Sequence, residues 1–338
     1  MATSNEYSRS NVSLLRITTL MYKALGLAPF SFKSSIVIRN SKTQHSVKFI
    51  RSNSARAYGL IGYLTVIPFE FYYFWIRYNE EFKNMSYMQN CFDIFFAFTV
   101  QFTQMMIILL FNIRQKRIVN ILNKLLRFES EIVEKLNDVS MYYSGIYDQI
   151  LIFIGFMFIG VAHILSEYLR WENDCVMNIV MYIFPELVIR SFTIQCAMML
   201  MFIRKKYKIL NEALLLHSDS KLKFKCHHSF FQVLDISDIE ITLKRVALVR
   251  KAYSNLNTIL SEISQFYSLL ICIAIGYYCF EIVYSAYSLT LEFKKDVISN
   301  FFECFNWSLI LLACIYPTVV LTNYVTSVNM EVRILNFE

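Results

Sequence analysis

The chain has 338 residues, 56% of them apolar, 16% aromatic and only 17% charged, with a mean hydropathy of +0.42 and a formal net charge of +7. A soluble domain carries about 25% charged residues. Here the apolar residues gather into runs of membrane-spanning length, which excludes a water-soluble globular protein, and seven glycines with four prolines exclude collagen-like, disordered and linker-rich chains.

In chain order, residues 1–56 form an amino-terminal arm with nine Lys and Arg. Its short amphipathic piece, Leu14–Leu27, does not read as a cleavable signal peptide. Runs near the roughly 20 residues needed to cross the hydrocarbon follow at Ala57–Ile76, Asn90–Asn112, Gly145–Leu169, Met177–Ile203, Phe266–Leu289 and Phe301–Thr326. The predicted fold is therefore an all-α, polytopic membrane helix bundle over 57–326 with six transmembrane helices and a short tail, 327–338. With the amino terminus in the cytoplasm, 27 Lys and Arg face inward and five outward. That bias predicts the orientation and explains the net charge as an orientation signal and a contact with anionic membrane lipid. Nucleic acid is not an expected partner for charge scattered between lipid-length segments.

Two loops carry helical patterns of their own. In 113–144, Ile118, Ile121, Leu122, Leu125, Ile132, Val133 and Leu136 recur at helical spacing, predicting that the second span continues as an amphipathic helix. In 204–265, Leu243, Val246, Val249, Leu256, Ile259, Leu260 and Ile263 lead into the fifth span. Such projecting stripes need a cover, either within the chain or in subunit assembly.

Ionisable groups inside spans are expensive and mark candidate functional sites. His163 and Glu167 fall in the outer half of the third span, and Glu186 and Arg190 one helical turn apart in the fourth, where they can pair locally. Glu281 in the fifth has no partner near it in sequence and is the sharper candidate. With Tyr182, Tyr278 and Trp307 at the same depth, these residues predict an outward-facing polar cavity that binds a small molecule. No GxSxG, HExxH, P-loop or GxGxxG motif is present, and the His217, Cys226, His227, His228 group lacks a second spaced pair, so neither an enzyme, nor a metal, nor a cofactor is expected.

Two stretches carry a family resemblance. Leu25-Gly26-Leu27-Ala28-Pro29-Phe30 resembles the GL-x-PF element that precedes the first span in the insect gustatory receptors. Arg250-Lys251-Ala252-Tyr253-Ser254-Asn255-Leu256, followed by Ile263-Ser264-Gln265-Phe266-Tyr267-Ser268-Leu269-Leu270, is similar to that family's basic helix entering the fifth span. The resemblance implies a tetrameric, ligand-gated, non-selective cation channel of seven-helix subunits, inverted relative to G-protein-coupled receptors and needing no G protein. It further implies a tastant pocket among the second to sixth helices, other gustatory receptor subunits as partners, and the plasma membrane of a sensory-neuron dendrite. Odorant-receptor-like subunits share this architecture, and a membrane carrier or binding protein is the alternative from another class. The family's last helix, with its Thr-Tyr and Gln-Phe motif, has no counterpart before Glu338, so the expectation is a chain that lacks the seventh, pore-lining helix and does not conduct alone.

Overall fold

The structure, a computed structural model, describes residues 19–28, 30–39, 42–61, 68, 72, 87–136, 144–170, 183–225, 236–294 and 301–336. A helical stretch over 19–24 leads into strands β1 (Phe30–Arg39) and β2 (Lys42–Arg51), then a helix opening at residue 53. Six long helices follow: α1 (Tyr87–Ile113), α2 (Gln115–Leu136), α3 (Ser144–Arg170), α4 (Phe184–Lys225), α5 (Ile236–Phe293) and α6 (Phe301–Asn336). Together α1–α6 build a polytopic membrane helix bundle. Five of them, all but α2, are long and apolar enough to cross a membrane. The run expected at 57–76 lies mostly outside the described residues.

The amino-terminal arm adds a small β element to the helical bundle. β1 and β2 form an antiparallel hairpin in the register Phe30↔Arg51 to Arg39↔Lys42, and β-branched residues at Ile36, Val37, Ile38 and Val47 favour that choice over helix. Its approach is set by Gly26, whose φ of 75° is readily reached by glycine and rarely by other residues. The Gly26 amide bonds the Lys23 carbonyl at 3.0 Å and the Leu27 amide the Tyr22 carbonyl at 2.7 Å, the paired bonds of a Schellman helix end. Past this turn Leu27, Ala28 and Phe30 are buried, which gives the Leu25–Phe30 stretch its physical meaning: a helix stop followed by an apolar anchor. The Asn123 side chain of α2 then bonds both the amide and the carbonyl of Phe49, at 2.9 Å each, and so pins β2 to α2.

Helix lengths show where the bundle leaves the bilayer. At about 1.5 Å per residue, the 58 residues of α5 span roughly 87 Å, against about 30 Å of hydrocarbon. The apolar part of α5 is its carboxy-terminal part, whereas those of α4 and α6 begin at their first residues. The start of α5 and the ends of α4 and α6 therefore project on one side. There α5 packs against α2, which follows α1 after a turn at Arg114 whose amide still bonds Leu110 at 2.9 Å, and Lys206 of α4 reaches Glu129 of α2. On α2, Ile118, Ile121 and Leu125 are buried; on α5, Val249, Leu256, Ile259 and Ile263 are buried, while Leu243 and Val246, nearer its start, are exposed. Intramolecular packing covers the described part of the α2 stripe and most of the α5 stripe but not Leu243 and Val246, while the side chains of Ile132, Val133 and Leu136 lie outside the described residues.

α4 is the central helix. Its apolar window is 72% buried, against 28% to 39% in the other four, whose outer faces are left for lipid. A helix shielded from lipid by its neighbours is the one on which charged residues can be accommodated.

Candidate functional site

The first turn of α4 begins Phe184-Pro185-Glu186. Proline is tolerated there because its missing amide would have no helical acceptor, and a carboxylate is favoured by the amide-rich end of the helix dipole. One turn on, Arg190 reaches back to Glu186, with Nη2 to Oε2 at 2.7 Å. The same Nη2 lies 2.8 Å from Oε1 of Glu281 on α5. His163 on α3 places Nδ1 3.4 Å from Arg190 Nη1 and 3.9 Å from Glu186 Oε2, and Cys314 Sγ on α6 lies 3.8 Å from Arg190 Nη2. Groups from four helices thus converge on one guanidinium.

Every member is buried: Glu281 at 0%, His163 and Glu186 at 3% and Arg190 at 4% exposure. The cluster sets two carboxyl groups and an imidazole around one guanidinium. Glu281 Oε2, Arg190 Nε, Tyr277 OH and Ser285 Oγ are buried without a hydrogen-bond partner. Beside it, the Tyr278 and Thr193 hydroxyls hydrogen-bond at 2.9 Å.

A second layer lies toward the end of α3 and the start of α6. Asn306 donates to Glu167 across these two helices, and Trp307 is half-buried with its ring 5.6 Å from that of Tyr284, which stacks on Phe96 at 4.7 Å.

The structure therefore brings Glu186, Arg190, Glu281 and His163 into contact, sets Tyr278 next to them, and places Glu167 and Trp307 in the adjoining layer; Tyr182 lies outside the described residues. Glu281, which has no partner near it in sequence, finds one 91 positions away in Arg190. Among the described residues these polar groups turn toward one another, since unpaired charge at this depth would be costly. The recess touching Arg190, lined by Phe156, Ile159, Gly160, Leu187, Ala313 and Tyr316, holds about 10 Å³, barely room for one water. Cys314, Thr193 and Asn306 were missed by sequence reasoning. Thr193 could have been found, as it shares the Glu186–Arg190 face at helical spacing. Asn306 could not, its partner being 139 residues away.

A family model described as 7tm chemosensory receptor matches residues 15–335. No curated protein matches the chain.

Proposed function

Because the chain belongs to the 7tm chemosensory receptor family, we propose that it is a gustatory receptor subunit. In this reading it binds a small tastant among α3–α6 and, assembled with other subunits of its kind, gates cation flux across the plasma membrane. The observation that carries the reading is the single guanidinium of Arg190 shared between Glu186 on its own helix and Glu281 on the next. A ligand shifts an equilibrium between packings only by binding one better than the other. Here a ligand that engages either carboxylate competes with Arg190 and alters the contact between α4 and α5. Glu167 and Trp307 adjoin this cluster toward the bundle end, and a site of carboxyl groups and aromatic faces suits amine-bearing or hydroxylated ligands. The amino terminus is cytoplasmic on the strength of the 27-to-five distribution of Lys and Arg.

Whole-cell recording from cells that express the chain together with other family subunits tests this. A sugar, alkaloid or amine is expected to evoke a cation current that needs no metabolic energy, and Glu281→Gln to shift its dose response at unchanged surface expression. An unchanged dose response removes Glu281 from the site, and ligand uptake without current assigns a carrier instead. Glycosylation at the Asn11 sequon would overturn the orientation.

A further inference from the structure

The hairpin is built from a stretch with a one-sided charge: residues 7–69 contain nine Lys and Arg and no Asp or Glu. The strand register sets Lys33 directly opposite Lys48. Like charges facing each other across an antiparallel pair destabilise it. No carboxylate between residues 7 and 69 is there to relieve this. Lys33 and Lys48 are both exposed, Lys23 extends the same cationic patch by bonding Ser31 Oγ at 2.8 Å, and Ile50, opposite Ser31 in the register, is 41% exposed.

Its position is equally defined. Ser52, directly after β2, accepts a bond from the Ala55 amide at 3.2 Å and so starts the helix from residue 53. The Ser52 carbonyl accepts from Gln115 Nε2 at 3.4 Å, two residues beyond the membrane-spanning stretch Ile94–Ile113 of α1. The root of the hairpin therefore sits where α1 leaves the bilayer, on the side to which α2 and the start of α5 project.

We propose that the β1–β2 hairpin is a lipid-binding element whose Lys33–Lys48 face holds the anionic phospholipid headgroups of the adjoining leaflet. Charge complementarity selects this occupant: a cationic strand pair tethered at the bilayer boundary meets a surface whose negative potential acts within about a Debye length. An exposed apolar residue beside the lysines suits the interface. The inference does not depend on the chain gating a channel.

Amide hydrogen exchange over residues 30–51 tests it, on the full chain in nanodiscs of phosphatidylcholine with and without phosphatidylserine. Exchange is expected to be several-fold slower with phosphatidylserine, and the difference to vanish at about 1 M salt, where the Debye length is about 3 Å. The double substitution Lys33→Gln, Lys48→Gln should abolish the difference while leaving exchange in α1–α6 unchanged. Equal exchange in the two lipids, or protection that survives both salt and substitution, would overturn the proposal. So would protection in neutral nanodiscs on adding inorganic phosphate or an acidic protein, either of which would assign the face to a different anion.

Discussion

In the membrane, Glu186, Glu281 and His163 all depend on Arg190. At the projecting end four pairs stand separately: Lys206 on α4 bonds Glu129 on α2 at 3.1 Å and lies over the Phe202 ring, Asn211 donates to Glu331 Oε2 on α6 at 2.9 Å, Tyr207 donates to Asn257, and Lys124 pairs with Glu262. The difference follows from the solvent. Beyond the bilayer, water can replace a lost partner, so polar stitches are independent and individually cheap. Inside it no such replacement exists, so a cluster sharing one cation is held together or disrupted as a unit, which is the property a bistable receptor core requires.

The largest effect expected is that of Arg190→Met, which leaves two buried carboxylates uncompensated. A loss of about 3–5 kcal/mol should appear as collapse of surface expression and of thermal stability in detergent. Adding Glu186→Leu and Glu281→Leu should restore most of that stability, because an apolar replacement of a whole buried ion network is often neutral. If the triple variant also keeps a ligand response, the cluster is structural and the contrast loses its functional meaning.

Glu281→Gln comes next. The amide keeps the shape and can still accept from Arg190, so a loss of about 1–3 kcal/mol is expected. At the projecting end, Asn211→Ala removes the two bonds to Glu331 that tie α4 to α6 and should lower stability by about 1–2 kcal/mol, additive with Lys206→Met measured in the same denaturation assay. Strong coupling between those two would break the picture of independent stitches. Lys124→Ala should be the mildest: its side chain is 38% exposed and that of Glu262 27%, so about 0–1 kcal/mol is expected, falling further with salt.

Much of the bundle was legible because lipid imposes a strict requirement. Long apolar runs have few alternatives to a helix when every backbone amide must be satisfied internally, and the amphipathic spacing of Ile118, Ile121 and Leu125 pointed to their burial. The hairpin was not legible: a basic arm with a Leu14–Leu27 amphipathic pattern drew attention to helix. Its pairing of Phe30 with Arg51 depends on contacts 21 residues apart and on Asn123 completing the edge of β2. The Leu25–Phe30 stretch was recognisable as a pattern, but its cause, a glycine at φ 75° ending a helix, is visible only in the backbone.

By itself the sequence determined residence in the membrane and which residues are too costly to be there by accident. It also identified the Glu186–Arg190 pair, because helical periodicity makes positions four apart neighbours. Only the tertiary structure decided that Arg190 also serves Glu281 and that His163 and Cys314 approach it from two further helices. Those contacts are set by how α3, α4, α5 and α6 pack around one another, and periodicity within one helix carries no information about the rotation of its neighbour.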